Sequence, residues 1–92
     1  MSSFRFHGTP NPNSLKITTD RGAFIAEGMR SFAGAEAAAD HPLGAALFEI
    51  EGVVNVFILP QFLTVTIAPG TDWEAILPAV EAALERHFEP AA

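Results

Sequence analysis

Three histidines, His7, His41 and His87, are the only residues of this sequence of a type that changes charge near neutral pH. They are the first place to look for acid–base or metal chemistry, but their spacing gives them no common geometry. His7 sits in an alternating run, His41 precedes a proline, and His87 falls on the apolar face of a helical repeat near its end. We read them as three separate structural or surface residues. The carboxylates add no constellation: Glu49 and Glu51 point to different sides of one helix, and Glu81 and Glu85 form an exposed i, i+4 row. No spacing among them specifies a metal site. There is no cysteine, which excludes disulfides, thiolate metal sites and cysteine nucleophiles. No glycine-rich phosphate cradle, serine elbow or HExxH stretch occurs. The expectation is of no catalytic residue, no bound cofactor and no metal ligand.

These residues are positioned by one small domain, residues 1–92, of 9.8 kDa. At 49% hydrophobic and 17% charged, the chain is too apolar to remain unfolded. Its longest apolar stretch, 53–63, is broken by Asn55, Pro60 and Gln61 and falls well short of the ~20 residues that span a bilayer. Met1 and the residues after it lead straight into an alternating run with no basic-then-apolar targeting pattern, so the cytoplasm is the expected location. The formal charge of −6 is divided unevenly: residues 1–35 carry a net +2 and residues 36–92 a net −8. That balance makes nucleic acid and anionic membranes poor partners and favours basic ones, although a solvated surface without partner meaning explains it equally.

Alternation marks the strands. Phe4 and Phe6 point one way and Arg5 and His7 the other. The stretch Gly8-Thr9-Pro10-Asn11-Pro12-Asn13 cannot continue a ladder, because its two prolines lack amide donors. Leu15 and Ile17 then resume an inward face, which makes a hairpin with a proline-stiffened loop. Residues 20–40 carry no clear period. Within them 23–25 and 29–32 read as short edge strands, and the alanine-rich 34–39 as one or two helical turns. A helix follows, capped by Asp40 or His41, opened by Pro42 and closed by Gly52 in the left-handed conformation. Leu43, Ala46, Leu47 and Ile50 share its buried face. Residues 53–59 and 62–68 form a second hairpin across Pro60-Gln61. In its second strand Leu63, Val65 and Ile67 face inward while Phe62, Thr64 and Thr66 face away.

Thr71 and Glu74 fit a capping box for a last helix, whose apolar face runs from Trp73 through Ile76, Val80 and Leu84 to His87 and Phe88. Pro78 lies too deep for a first turn and predicts a kink or a separate opening turn. The expected fold is α+β: a two-layer ββαββα arrangement with a mainly antiparallel sheet and both helices on one face.

Several of these segments together resemble a known family. They are Thr9-Pro10-Asn11-Pro12-Asn13-Ser14-Leu15-Lys16, then His41-Pro42-Leu43-Gly44-Ala45-Ala46-Leu47-Phe48-Glu49-Ile50-Glu51-Gly52-Val53. Val56-Phe57, Phe62-Leu63-Thr64-Val65-Thr66, Asp72-Trp73 and Leu77-Pro78-Ala79-Val80 follow in order. The set is similar to the N-terminal domain of Nfu/NifU-type iron–sulfur cluster scaffold proteins and covers nearly the whole chain. The family also carries a proline at the Pro78 position. The chain departs from it at His41, where a serine usually caps the helix, at Pro60-Gln61, which replaces a glycine-containing turn, and at Ala68, where a lysine often ends the strand.

The resemblance implies an accessory module that docks on protein partners of the iron–sulfur cluster machinery. In that family the cluster is held by a separate domain with a CxxC pair, so iron binding would reach this chain by family membership alone. The residues to which the docking role would fall are Thr9, Asn11 and Asn13 of the rigid loop and the outward row Phe62, Thr64 and Thr66. A purely structural role for the loop, with Asn11 and Asn13 closing Asx turns, stands beside it. Trp73 is read as a core anchor for the last helix, with an interface role as its rival. Two other functions are carried: a protein binding iron or another metal ion through histidines and carboxylates, and a small enzyme on the open sheet face.

Overall fold

The computed structural model describes residues 4–88. Residues 1–3, where the sequence shows no targeting pattern, lie outside the described residues. The chain runs β1 (Phe4–Gly8), β2 (Ser14–Thr19), β3 (Arg30–Phe32), α1 (Pro42–Phe48), β4 (Val53–Ile58), β5 (Leu63–Ile67) and α2 (Trp73–Phe88). All five strands join one antiparallel sheet in the order β1-β2-β5-β4-β3. The α+β reading therefore holds, and the ββαββα order gains one element. Of the two edge-strand candidates in 20–40, only Arg30–Phe32 pairs, along β4 through Ser31 opposite Phe57. The segment 34–39 makes turns, with the Ala38 amide near the carbonyls of Gly34 and Ala35.

Period-two patterning divides the sheet cleanly. Phe4, Ile17, Phe32, Val53, Val56, Ile58, Leu63, Val65 and Ile67 point to one side and are buried. Leu43 and Leu47 of α1 and Ile76, Val80 and Leu84 of α2 close over them in a single cluster. Both helices thus cover one face, and among the described residues no helix covers the other. Val54 is an extra residue in a bulge of β4 between the Val53 and Asn55 pairings, which keeps Val53 and Val56 inward while Asn55 meets Thr66 outside.

The helix ends differ from expectation. His41 itself caps α1: its Nδ1 accepts the Gly44 amide at 3.1 Å, and its own backbone is extended at φ −110°. Asp40 takes no part in that bond. The helix ends at Phe48, with Glu49 as C-cap, so Gly52 does not terminate it. Gly52 instead occupies the third position of the turn closed by Val53 N–H to Ile50 C=O, where φ is +102°. At the start of α2 the Asp72 carboxylate, not the Thr71 hydroxyl, accepts the Glu74 amide at 3.0 Å. Pro78 sits inside a helix assigned without a break from Trp73 to Phe88, so no separate opening turn forms. Its outward placement on an exposed position leaves the buried stripe intact.

Candidate functional site

Register sets the open face. Across the sheet, His7 lies opposite Lys16, Lys16 opposite Thr64, Thr64 opposite Phe57, and Phe57 opposite Ser31. One row therefore crosses all five strands on the side away from the helices. Beside it the Lys16 ammonium stands 4.6 Å from the centre of the Phe62 ring, and Phe57 meets Phe62 edge-on at 6.4 Å. The Ser14 and Thr66 hydroxyls bond at 2.7 Å, and His7 Nε2 lies 2.9 Å from the Thr18 hydroxyl. No aspartate or glutamate occurs in any of the five strands, although the chain as a whole is acidic. Arg5, Lys16 and His7 are the titratable groups that the strands turn to this face. It is a cationic, aromatic and hydroxyl-bearing surface on a molecule whose acids lie in its loops and helices.

The 9–14 loop borders this face through Ser14. Its order comes from its own short side chains. The Thr9 hydroxyl lies 2.8 Å from the Asn11 carbonyl and 3.0 Å from the Ser14 carbonyl, and it accepts the Asn11 amide at 3.2 Å. Asn11 Oδ1 accepts the Asn13 amide at 2.9 Å, an Asx turn. The Asn13 carbonyl takes the Ile67 amide at 2.8 Å, and the Pro12 carbonyl takes the Trp73 indole N–H at 3.1 Å. Trp73 is half-buried, packs against the core and ties the loop to α2, as an anchor of the last helix does.

The sequence candidates therefore form one connected region. Phe62, Thr64 and Thr66 share the open face, each half-buried, and Thr66 is joined to Ser14 at the end of the loop that carries Thr9, Asn11 and Asn13. Thr9 and Asn11 spend their side-chain groups within the loop, while Asn11 remains exposed. Lys16 and Phe57 join this region through the β2–β5 and β4–β5 registers, which no local sequence pattern reveals.

Their spacing in the sequence separates His41 and His87, but the fold brings them together. Both line one groove of about 650 Å³ at the β3 edge on the helix side, together with Arg30 and Glu27. Burial lowers the pKa of His41 below its ordinary value, and the Arg30 and His87 charges add to the effect. His87 is exposed as a residue, yet its Nε2 lies 3.1 Å from the Phe24 carbonyl. His7 stands apart, on the open face. Among the described residues no three histidine, aspartate or glutamate side chains come together as a metal site would require. With no cysteine in the chain, its residues do not fit an iron–sulfur cluster either.

The structure defines a two-layer α+β fold in which, among the described residues, both helices lie on one face of the sheet. The chain belongs to the family described as scaffold protein Nfu/NifU N terminal, which it matches over residues 4–91. It is 40% identical over 81 residues to the human NFU1 iron-sulfur cluster scaffold homolog, mitochondrial, covering 87% of this chain and 32% of that protein. It is 35% identical over 72 residues to the NifU-like protein 5, mitochondrial, of Arabidopsis thaliana, covering 78% of this chain and 26% of that protein. The chain thus spans about a third or less of these relatives. Among solved structures it resembles protein SAV1430 of Staphylococcus aureus, with a TM-score of 0.75 at 25% identity over 91% of this chain and 99% of that one. A NifU-like protein of Saccharomyces cerevisiae shares the fold, with a TM-score of 0.77 at 24% identity over 90% of this chain and 75% of that one. No helix among the described residues is long and apolar enough to cross a membrane.

Proposed function

We propose that this chain is a non-enzymatic docking module of iron–sulfur cluster assembly or delivery, acting in the cytoplasm on a protein partner. Its working surface is the open sheet face with the adjoining 9–14 loop. The observation that carries the reading is the row His7-Lys16-Thr64-Phe57-Ser31 with Phe62 beside it, uncovered by either helix and free of carboxylates. Apolar rings at the centre and hydroxyls and cations around them are the make-up of a protein contact surface, and they match a partner that presents acidic groups. The cluster is cargo in this reading, held by other proteins, because the chain supplies no thiolate. The names of its relatives, iron-sulfur cluster scaffold homolog among them, support the process.

The test is affinity capture from the native host with the tagged chain and with a Lys16→Glu, Phe62→Ala double variant, followed by titration of the captured protein. We expect a protein of the cluster machinery that binds the variant ~10-fold or more weakly. Binding within twofold of wild type by a correctly folded variant would remove the open face from the interaction. Capture confined to proteins without a link to cluster assembly would overturn the function.

A further inference from the structure

On the helix side of the sheet, the 22–29 segment, the start of α1 and the last turns of α2 leave the groove that His41 and His87 share. At about 650 Å³ it has the size of a small-molecule site. Its apolar part is built from Ile25 and Pro42 over the buried Phe24 and Leu43. The cap decides the chemistry of His41. Because Nδ1 uses its lone pair to accept the Gly44 N–H, the neutral ring must carry its proton on Nε2. That N–H has no acceptor among the described residues. Arg30 adds a guanidinium that forms no ion pair among the described residues, although Glu27 lines the same groove.

A guanidinium and an imidazole N–H beside an apolar floor complement a carboxylate carried on an apolar stem. With one fixed cation and the Glu27 carboxylate present, a monoanion is matched better than a multiply charged phosphate. We propose that this groove is a binding site for small apolar monocarboxylates, with Arg30 and His41 Nε2–H holding the carboxylate and Ile25, Pro42, Phe24 and Leu43 receiving the stem. The site is on the opposite side of the sheet from the docking surface and does not depend on it.

The experiment is an amide-resolved NMR titration of the intact chain with octanoate, with octanol and acetate as controls for stem and charge. Octanoate is expected to give saturable shifts confined to residues 23–27, 30, 41, 43, 44 and 87, with octanol and acetate binding ~10-fold or more weakly. Arg30→Gln should weaken octanoate ~10-fold and leave octanol unchanged, and Glu27→Gln should tighten octanoate. His41→Asn retains an acceptor for the Gly44 amide but has no ring N–H, so it should weaken octanoate while the fingerprint of the fold is preserved. Absence of saturable shifts at millimolar octanoate overturns the proposal. So does equal affinity for octanoate and octanol, or an octanoate affinity indifferent to Arg30→Gln.

Discussion

The indole N–H of Trp73 donates to the carbonyl of Pro12 at 3.1 Å, across a sequence separation of 61 residues. Through that bond the first turn of α2 fixes the position of the first hairpin loop. The loop is otherwise held by Thr9 and Asn11 from within and by the Ile67 amide on the Asn13 carbonyl. The surface at the loop's end is consequently rigid before any partner arrives, which lowers the ordering cost of binding.

Replacing Asn11 and Asn13 together by alanine removes the Asx oxygen that orders the loop. We expect a stability loss of ~1 kcal/mol and, if the loop contacts the partner, a further ~1–3 kcal/mol of binding. Denaturant unfolding and titration with the captured partner, both on the same double variant, separate the two. Binding within twofold of wild type would leave the loop a connector only.

Leu47→Ala and Val65→Ala both delete side chains that are 0% exposed in the one core cluster. Each should lower stability by ~2–4 kcal/mol through the cavity left behind. An unchanged urea midpoint in either variant would contradict the packing described.

Gly52 adopts φ +102°, and a Cβ there would lie 2.8 Å from Thr71 Cγ2. Gly52→Ala should therefore be destabilising, by ~1–3 kcal/mol from backbone strain together with the contact. A melting temperature equal to wild type would show that the turn relaxes freely.

The His41 cap makes stability depend on pH. Its folded pKa lies below the unfolded value near 6.5, because burial, Arg30 and His87 all disfavour the cation. The unfolded chain then binds more protons, so the contribution of His41 is complete above about pH 6.5 and is lost as pH falls through the lower folded value. Urea midpoints at about pH 7.5 and about pH 5.5 should fall further apart for wild type than for His41→Asn, which caps without titrating. Equal differences in the two proteins would count against this cap.

Reconstitution with iron and sulfide under reducing, anaerobic conditions should leave the purified chain colourless, since it offers no cysteine ligand. A stable chromophore with stoichiometric iron and sulfide would contradict that expectation.

Much of the fold was legible because its strands carry two-residue alternation with β-branched and aromatic residues inside, as in Leu63, Val65 and Ile67. β3 was ambiguous because its three residues are too few to show a period, and their place depends on the edge that β4 presents. The capping box at Thr71 was a reasonable pattern that lost to a shorter-range competitor, Asp72, whose carboxylate reaches the same amide. Alternation along 62–66 pointed to the outward residues Phe62, Thr64 and Thr66, but Lys16 joins Phe62 only through the β2–β5 pairing, which joins segments about fifty residues apart. His41 and His87 were separable on paper for the same reason: the segment that brings them to one groove, 22–29, has no regular structure to read.

The contact between the Ser14 and Thr66 hydroxyls, 52 residues apart, also marks the seam between two units that form from local sequence alone. β1 with β2 and β4 with β5 are hairpins whose partners are close neighbours along the chain, so each closes at small entropic cost. The β2–β5 ladder forms only when both are made and meet, and α2 covers the core on top of it. Within the sheet, β2–β5 is the strand pairing of greatest sequence separation. From the loop-closure cost alone, joining the two hairpins is expected to be slower than closing either one.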